Sequence, residues 1–180
     1  MPSYCEYCNT HPEDIYNRSY HDGQYGFPIT DDDQLFERLI LEINQAGLSW
    51  ITILKKADNF RNAYGNFKID VVAAYGEAER ARLLSDAGII RNRLKINAAI
   101  ENANRIMAIQ AEHGSFKNWL DSHRRLPLPA WTKIFKQHFI FTGGEIVKEF
   151  LMSSGYLPGA HDVDCPIYAQ IASLKPAWMD

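Results

Sequence analysis

The chain has 180 residues, a formal net charge of −3 and an apolar fraction of 46%, with nine Tyr, nine Phe and four Trp. This length and composition point to a single packed domain over 1–180 and exclude a disordered chain. They also exclude nucleic-acid binding through overall basicity, so any such partner must meet a local patch.

No apolar run approaches the length needed to span a membrane. Met1-Pro2-Ser3-Tyr4-Cys5 lacks the basic and apolar regions of a signal peptide. Three cysteines in such a chain point to a reducing compartment, and to metal ligands or free thiols rather than disulfides. Residues 1–30 are rich in Tyr, Asn, Asp, Gly and Pro without a sustained period, which reads as loop with short helical turns. Thr30-Asp31-Asp32-Asp33 is a helix start with acidic first-turn residues, and a helix follows to about Ala46. A second helix runs from Ser49 or Trp50 to Tyr64, and short ones over 70–74 and 77–85. After the Asp86-Ala87-Gly88 turn comes a long helix over about 92–113, then shorter ones over 116–122, 130–137 and 144–153. Nothing alternates over a strand-length stretch, so the fold class is all-α.

Leu35, Leu39 and Ile43 recur at helical spacing and should face a core, which leaves Glu42 on or beside that apolar stripe. A carboxylate buried there needs a hydrogen-bonding partner. Gly47 ends the helix, with Leu48, Ser49 and Trp50 just beyond it. An acid, a glycine turn, a leucine and a tryptophan so close together describe a pocket mouth. Spacing alone favours a plainer reading, a rim carboxylate and a core tryptophan.

Residues 77–95 read as helix, tight Gly88 turn and helix, the layout of a helix-hairpin-helix over about 77–105. Such a hairpin offers backbone N–H groups and a helix N-terminus to a phosphate, and Arg91, Arg93 and Lys95 add positive charge. Any helical hairpin shares that layout, and basic runs are commonly solvated faces. His161 and Cys165 place two metal-competent ligands four residues apart. Cys5, Cys8 and His21 lie at the other end of the chain, where Cys5 and Cys8 form a Cys-x₂-Cys pair.

The stretch from Glu42 through Gly47-Leu48-Ser49-Trp50 to Lys56 closely resembles the signature of the constitutive 3-methyladenine DNA glycosylases of alkylation repair. Tyr20-His21-Asp22, Tyr25-Gly26-Phe27-Pro28, Asp86-Ala87-Gly88-Ile89-Ile90-Arg91 and His161 with Cys165 match in order, so the resemblance covers nearly the whole chain. It implies a helical glycosylase domain with a helix-hairpin-helix. It also implies one structural zinc on Cys5, His21, His161 and Cys165, joining segments of about 1–25 and 155–175. Cys8 is a rival ligand that the family pattern does not require.

By the same resemblance Glu42, the candidate catalytic residue, receives the amino hydrogens of an extruded base. Tyr20 hydrogen-bonds that base and Trp50 stacks on it. Tyr7 and Tyr25 stand where the family often has tryptophans. Leu48 after Gly47 is the wedge that enters the duplex. Such a box suits a cationic alkylated purine, held by stacking, cation–π attraction and hydrogen bonds.

The implied activity is monofunctional hydrolysis of an N-glycosidic bond in alkylated double-stranded DNA, leaving an abasic site. The enzyme would act as a monomer in the bacterial cytosol. No lysine near the hairpin suggests Schiff-base chemistry. The chain departs from the family at 139–147, where Glu145 follows Gly143-Gly144. If Glu145 faces the pocket, it adds a second carboxylate. Two other readings stand beside this one: a damaged-DNA-binding relative without turnover, and a zinc hydrolase of small molecules using Glu42 as base.

Overall fold

In the computed structural model, which describes residues 2–180, helix α3 (Asp32–Gln45) is the element the others pack around. Asp31 caps it by accepting from Gln34 N at 2.9 Å, with Asp32 and Asp33 in the first turn. Leu35, Leu39 and Ile43 are fully buried, as their spacing predicts, and Phe36 and Ile40 widen that stripe. Before it lie α1 (Tyr4–Thr10) and α2 (Ile15–Gly23), and after it α4 (Trp50–Ala63), α5 (Ile69–Ala73) and α6 (Glu77–Ser85). Then follow α7 (Arg93–His113), α8 (Phe116–Ser122), α9 (Leu128–His138), α10 (Gly144–Ser153) and α11 (Pro166–Ser173). Two 3₁₀ turns, Gly65–Phe67 and Ala177–Met179, complete the order. Among the described residues there is no strand, so the molecule is all-helical.

Helix α7 is long because its core face is sustained. Ile96, Ala99, Ala103 and Ile106 are buried at helical spacing, and the small alanines let α5 lie close against it. Asp32 binds α3 to α8: its carboxylate accepts from Phe116 N at 2.8 Å and Lys117 N at 2.9 Å, two N–H groups that lack helical partners. An aromatic core joins α8, α9 and α10, where Phe116, Trp119, Trp131, Phe135 and Phe150 are almost fully buried. Phe135 lies 5.6 Å from Phe150 and 5.8 Å from Trp119 between ring centroids.

The N-terminal region is more helical than the loop with short helical turns expected. Both α1 and α2 are real helices, capped by Ser3 (accepting from Glu6 N at 3.1 Å) and Asp14 (from Asn17 N at 3.1 Å). Seven and nine residues are too few to display a period, which is why composition dominated the reading. Near the other terminus, α11 starts on Pro166 at its first position.

Candidate active site

Between the end of α3, the start of α4 and the N-terminal half of α10 lies a cavity of about 820 Å³. Helix α3 supplies Glu42 and Gln45, the turn after it Ala46 and Gly47, and α4 Trp50. Helix α10 supplies Glu145, Ile146 and Glu149, preceded by Gly143. Tyr4, Tyr20 and Tyr25 form the remaining wall. Gly47 makes the turn possible: its φ of +80° is a conformation that side-chain-bearing residues rarely adopt. Leu48 N donates to Gln45 O at 2.7 Å, Gln45 Nε2 donates to Leu48 O at 2.8 Å, and Leu48 is left 39% exposed.

Glu42 is 4% exposed, and among the described residues none donates a hydrogen bond to its carboxylate. Burial and the negative charge of Glu149 push its pKa up to about 8, against an opposing pull from Arg38. Burial also raises the pKa of Glu149, whose Oε2 accepts from Tyr25 Oη at 3.3 Å. The Tyr20 and Trp50 rings meet at 5.1 Å, and neither Tyr20 Oη nor Trp50 Nε1 has a hydrogen-bond partner. Arg38 fixes the tyrosine: Nη1 donates to Ser153 O at 3.0 Å while the guanidinium lies 5.1 Å from the Tyr20 ring centre.

Behind the tyrosines sit Cys5, His21, His161 and Cys165, all buried, with their ligand atoms within 4.8 Å of one another. Cys5 Sγ is 3.5 Å from His161 Nδ1; Cys165 Sγ is 3.8 Å from His161 Nδ1 and 3.8 Å from His21 Nε2. Tetrahedral bonds of about 2.3 Å to sulfur and 2.0–2.1 Å to nitrogen would separate S and N by about 3.6 Å, so the set fits a metal ion. The outer nitrogens are held as such a site requires. His21 Nδ1 pairs with Asp22 Oδ1 at 2.7 Å and His161 Nε2 with Tyr25 O at 2.6 Å, which turns the other ring nitrogen inward. Cys8 lies outside the cluster, its thiol directed at Asn17 O at 3.8 Å. Because Tyr25 also lines the cavity, the cluster and the cavity share a wall.

Helices α6 and α7 meet through the Asp86–Asn92 turn, where Gly88 N donates to Asp86 Oδ1 at 2.8 Å. A Cβ at Gly88 would lie 3.0 Å from that oxygen and 3.1 Å from Asn59 Nδ2, tight contacts that would require those side-chain ends to give by a few tenths of an ångström. Arg91 and Arg93 are exposed at the start of α7 and form no ion pair among the described residues. Two cations at the positive end of a helix dipole are unfavourable without an anion.

Lys95 corrects the sequence reading: it is 5% exposed, and its Nζ donates to Asn44 O at 2.7 Å and Ala46 O at 2.6 Å. Its ammonium satisfies the free carbonyls at the end of α3 instead of facing a phosphate. Tyr7 is the second correction. Its hydroxyl donates to Asp14 Oδ2 at 2.9 Å and its ring stacks on His11 at 4.3 Å, away from the cavity walls. Tyr4, one helical turn earlier, takes that wall and packs edge-on against Tyr25 at 5.3 Å.

The sequence reading thus assembled Tyr20, Tyr25, Glu42, Gly47 and Trp50 around one cavity, with Glu145 facing it. It missed Tyr4, Arg38 and Glu149. Arg38 lies one turn before Glu42 and Glu149 one turn after Glu145, so helical spacing from residues already singled out was the available signal.

The family model described as methyladenine glycosylase matches residues 8–131. DNA-3-methyladenine glycosylase 1 of Escherichia coli K12 is 36% identical, over 91% of this chain and 97% of its own. The corresponding enzyme of Haemophilus influenzae is 31% identical over 82% and 89%. Among solved structures, 3-methyladenine DNA glycosylase I of Staphylococcus aureus superposes with a TM-score of 0.82 at 30% identity, covering 92% of this chain and 97% of that one. A single-site variant of such an enzyme, in complex with 3-methyladenine, also has a TM-score of 0.82, at 30% identity and with 89% and 96% coverage. The chain belongs to the methyladenine glycosylase family.

Proposed function

We propose that this chain is a DNA glycosylase of base-excision repair that flips 3-methyladenine out of alkylated duplex DNA and hydrolyses its glycosidic bond. The observation that carries the reading is Glu42: a buried acid, without a protein partner, on a cavity walled by Tyr4, Tyr20, Tyr25 and Trp50. A carboxyl whose pKa is raised to about 8 by burial and a neighbouring acid is poorly stabilised in its charged form. A cationic base entering beside it would pull that pKa back down and gain an ion pair in a low-dielectric site. Neutral adenine gives no such gain, and the aromatic walls add cation–π attraction for the charged base.

The chemistry follows from that charge. The bond between the sugar anomeric carbon and the base nitrogen breaks, its electron pair neutralises the cationic base, and water adds to the carbon and gives up one proton to solvent. The base therefore leaves without being protonated. Glu42 orients it through its amino hydrogens and stabilises the positive charge as this moves onto the sugar. Leu48 at the Gly47 turn fills the vacated stack. The hairpin of α6 and α7 acts as a helix-hairpin-helix, with Gly88, Arg91 and Arg93 on a backbone phosphate. No catalytic lysine is invoked, so the product is an intact strand with an abasic site.

We assign zinc to Cys5, His21, His161 and Cys165. Four protein ligands complete a tetrahedral site, so the ion is structural and binds α1, α2 and the segment before α11 together. The chain is then one domain over 1–180, acting as a monomer on double-stranded DNA. No described helix is long and apolar enough to cross a membrane. The test is base release from methylated duplex DNA, resolved by base identity. Release of 3-methyladenine, with alkali-labile sites formed in step, supports the reading. Inertness on every alkylated base would favour a binding protein instead.

A further inference from the structure

Three acids line the cavity, Glu42, Glu145 and Glu149, and no lysine or arginine among the described residues does. Such a cluster means nothing by itself on a solvated surface. Here one of the three, Glu42, is 4% exposed, lines the cavity and receives no hydrogen bond. The cation acting on Glu42 is Arg38, which is already engaged with Ser153 O and the face of Tyr20. Glu149 approaches from α10, opposite α3, half-buried; one of its oxygens accepts from Tyr25 and the other has no partner. Glu145 and Glu149 stand one turn apart on the same helix, an arrangement of like charges that disfavours the helix. Two charged carboxylates facing one cavity repel each other, and a neutral ligand does not relieve them.

We propose that Glu149 is a specificity-determining residue: a second cavity acid that, with Glu42, selects bases by positive charge. This rests on the glycosylase reading and extends it. One acid suffices to accept the amino hydrogens of a purine whether or not the purine is charged. Two acids make the cavity a poor host for neutral purines and a good host for a purine cation of the same shape. The reaction turns such a cation into a neutral base, so the same pair weakens the hold on the product.

The test compares two ligands of nearly equal shape, neutral 3-methyladenine and 3,9-dimethyladeninium, whose charge is fixed. Each is titrated into wild type, Glu149→Gln and Glu149→Asp at pH 8, following Trp50 fluorescence or heat. Wild type should prefer the cation. Glu149→Gln, which keeps an acceptor for Tyr25, should reduce that preference by about tenfold by weakening the cation and strengthening the neutral base. Glu149→Asp should retain the preference. An equal loss of both ligands in Glu149→Gln would indicate a merely structural role and overturn the proposal, as would an unchanged ratio. Base release by wild type from methylated DNA, run alongside, separates the failures. Release with an unchanged ratio sinks only the role of Glu149, whereas no release sinks the glycosylase reading with it.

Discussion

The cavity and the hairpin are opposites in charge. Among the described residues, Glu42, Glu145 and Glu149 line the cavity without a basic neighbour on its walls, while Arg91 and Arg93 stand at the start of α7 without an acidic partner. Each region is unfavourable alone, the first through like charges on one cavity and the second through cations at a helix N-terminus. Each would be relieved by a ligand of the other sign, on the proposed reading a base cation for one and a phosphate for the other. On the proposed reading, a chain of net charge −3 would grip DNA at one place and reject most of its bases at another. Lys95 joins the two, since it starts on α7 and ends on the carbonyls that close α3.

The largest expected effect comes from the shared foundation. Cys165→Ser, or removal of metal by a chelator, should lower the melting temperature by roughly 10 °C and abolish metal content. Because His161 holds Tyr25 O, base release should fall with it. A variant that keeps wild-type melting and metal would remove Cys165 from the ligand set.

Next is Glu42→Gln, expected to slow single-turnover release about 100-fold or more with little change in affinity for undamaged DNA. Stability should move the other way. The folded-state pKa of Glu42, about 8, lies above its ordinary 4.5. Its contribution to stability is therefore fully present below the ordinary value and lost as pH rises through about 8. Glu42→Gln should melt like wild type near pH 4 and above it at pH 9. Equal melting at pH 9 would show that Glu42 carries no buried-charge penalty.

Much of this was legible because helical periodicity is a local property. Leu35, Leu39 and Ile43 announce their burial by spacing; spacing alone leaves Glu42 a rim carboxylate, and the family resemblance is what points to a pocket acid. What failed was what depends on distant partners. Lys95 reads as the third cation of a basic run, and only the carbonyls of Asn44 and Ala46, some fifty residues earlier, reveal it as a buried cap. Tyr7 and Tyr4 lie on one short helix, and the choice between them as cavity wall follows from Asp14, which holds the Tyr7 hydroxyl. The Cys/His cluster came from the family resemblance, since no local rule brings residues 5 and 165 together.

Smaller effects separate the two regions further. Lys95→Met should destabilise the fold by about 1–3 kcal/mol, because it leaves two carbonyls unpaired beside the Gly47 turn. The salt dependence of DNA binding should stay unchanged; a shallower dependence would return Lys95 to the phosphate contacts. Arg91→Ala and Arg93→Ala should each reduce the slope of log affinity against log salt by about 1, leaving the choice of base intact. A change in base preference by either arginine variant would break the division between cavity and hairpin.

The central claim is that Glu42 reads the base while other residues grip the duplex. It is tested most directly by single-turnover release of 3-methyladenine from methylated duplex DNA, by wild type and Glu42→Gln, at saturating protein. Release by wild type, with a strong slowing in the variant at equal duplex affinity, is the predicted result. Equal rates for the two proteins would contradict it and leave the cavity acid without a function.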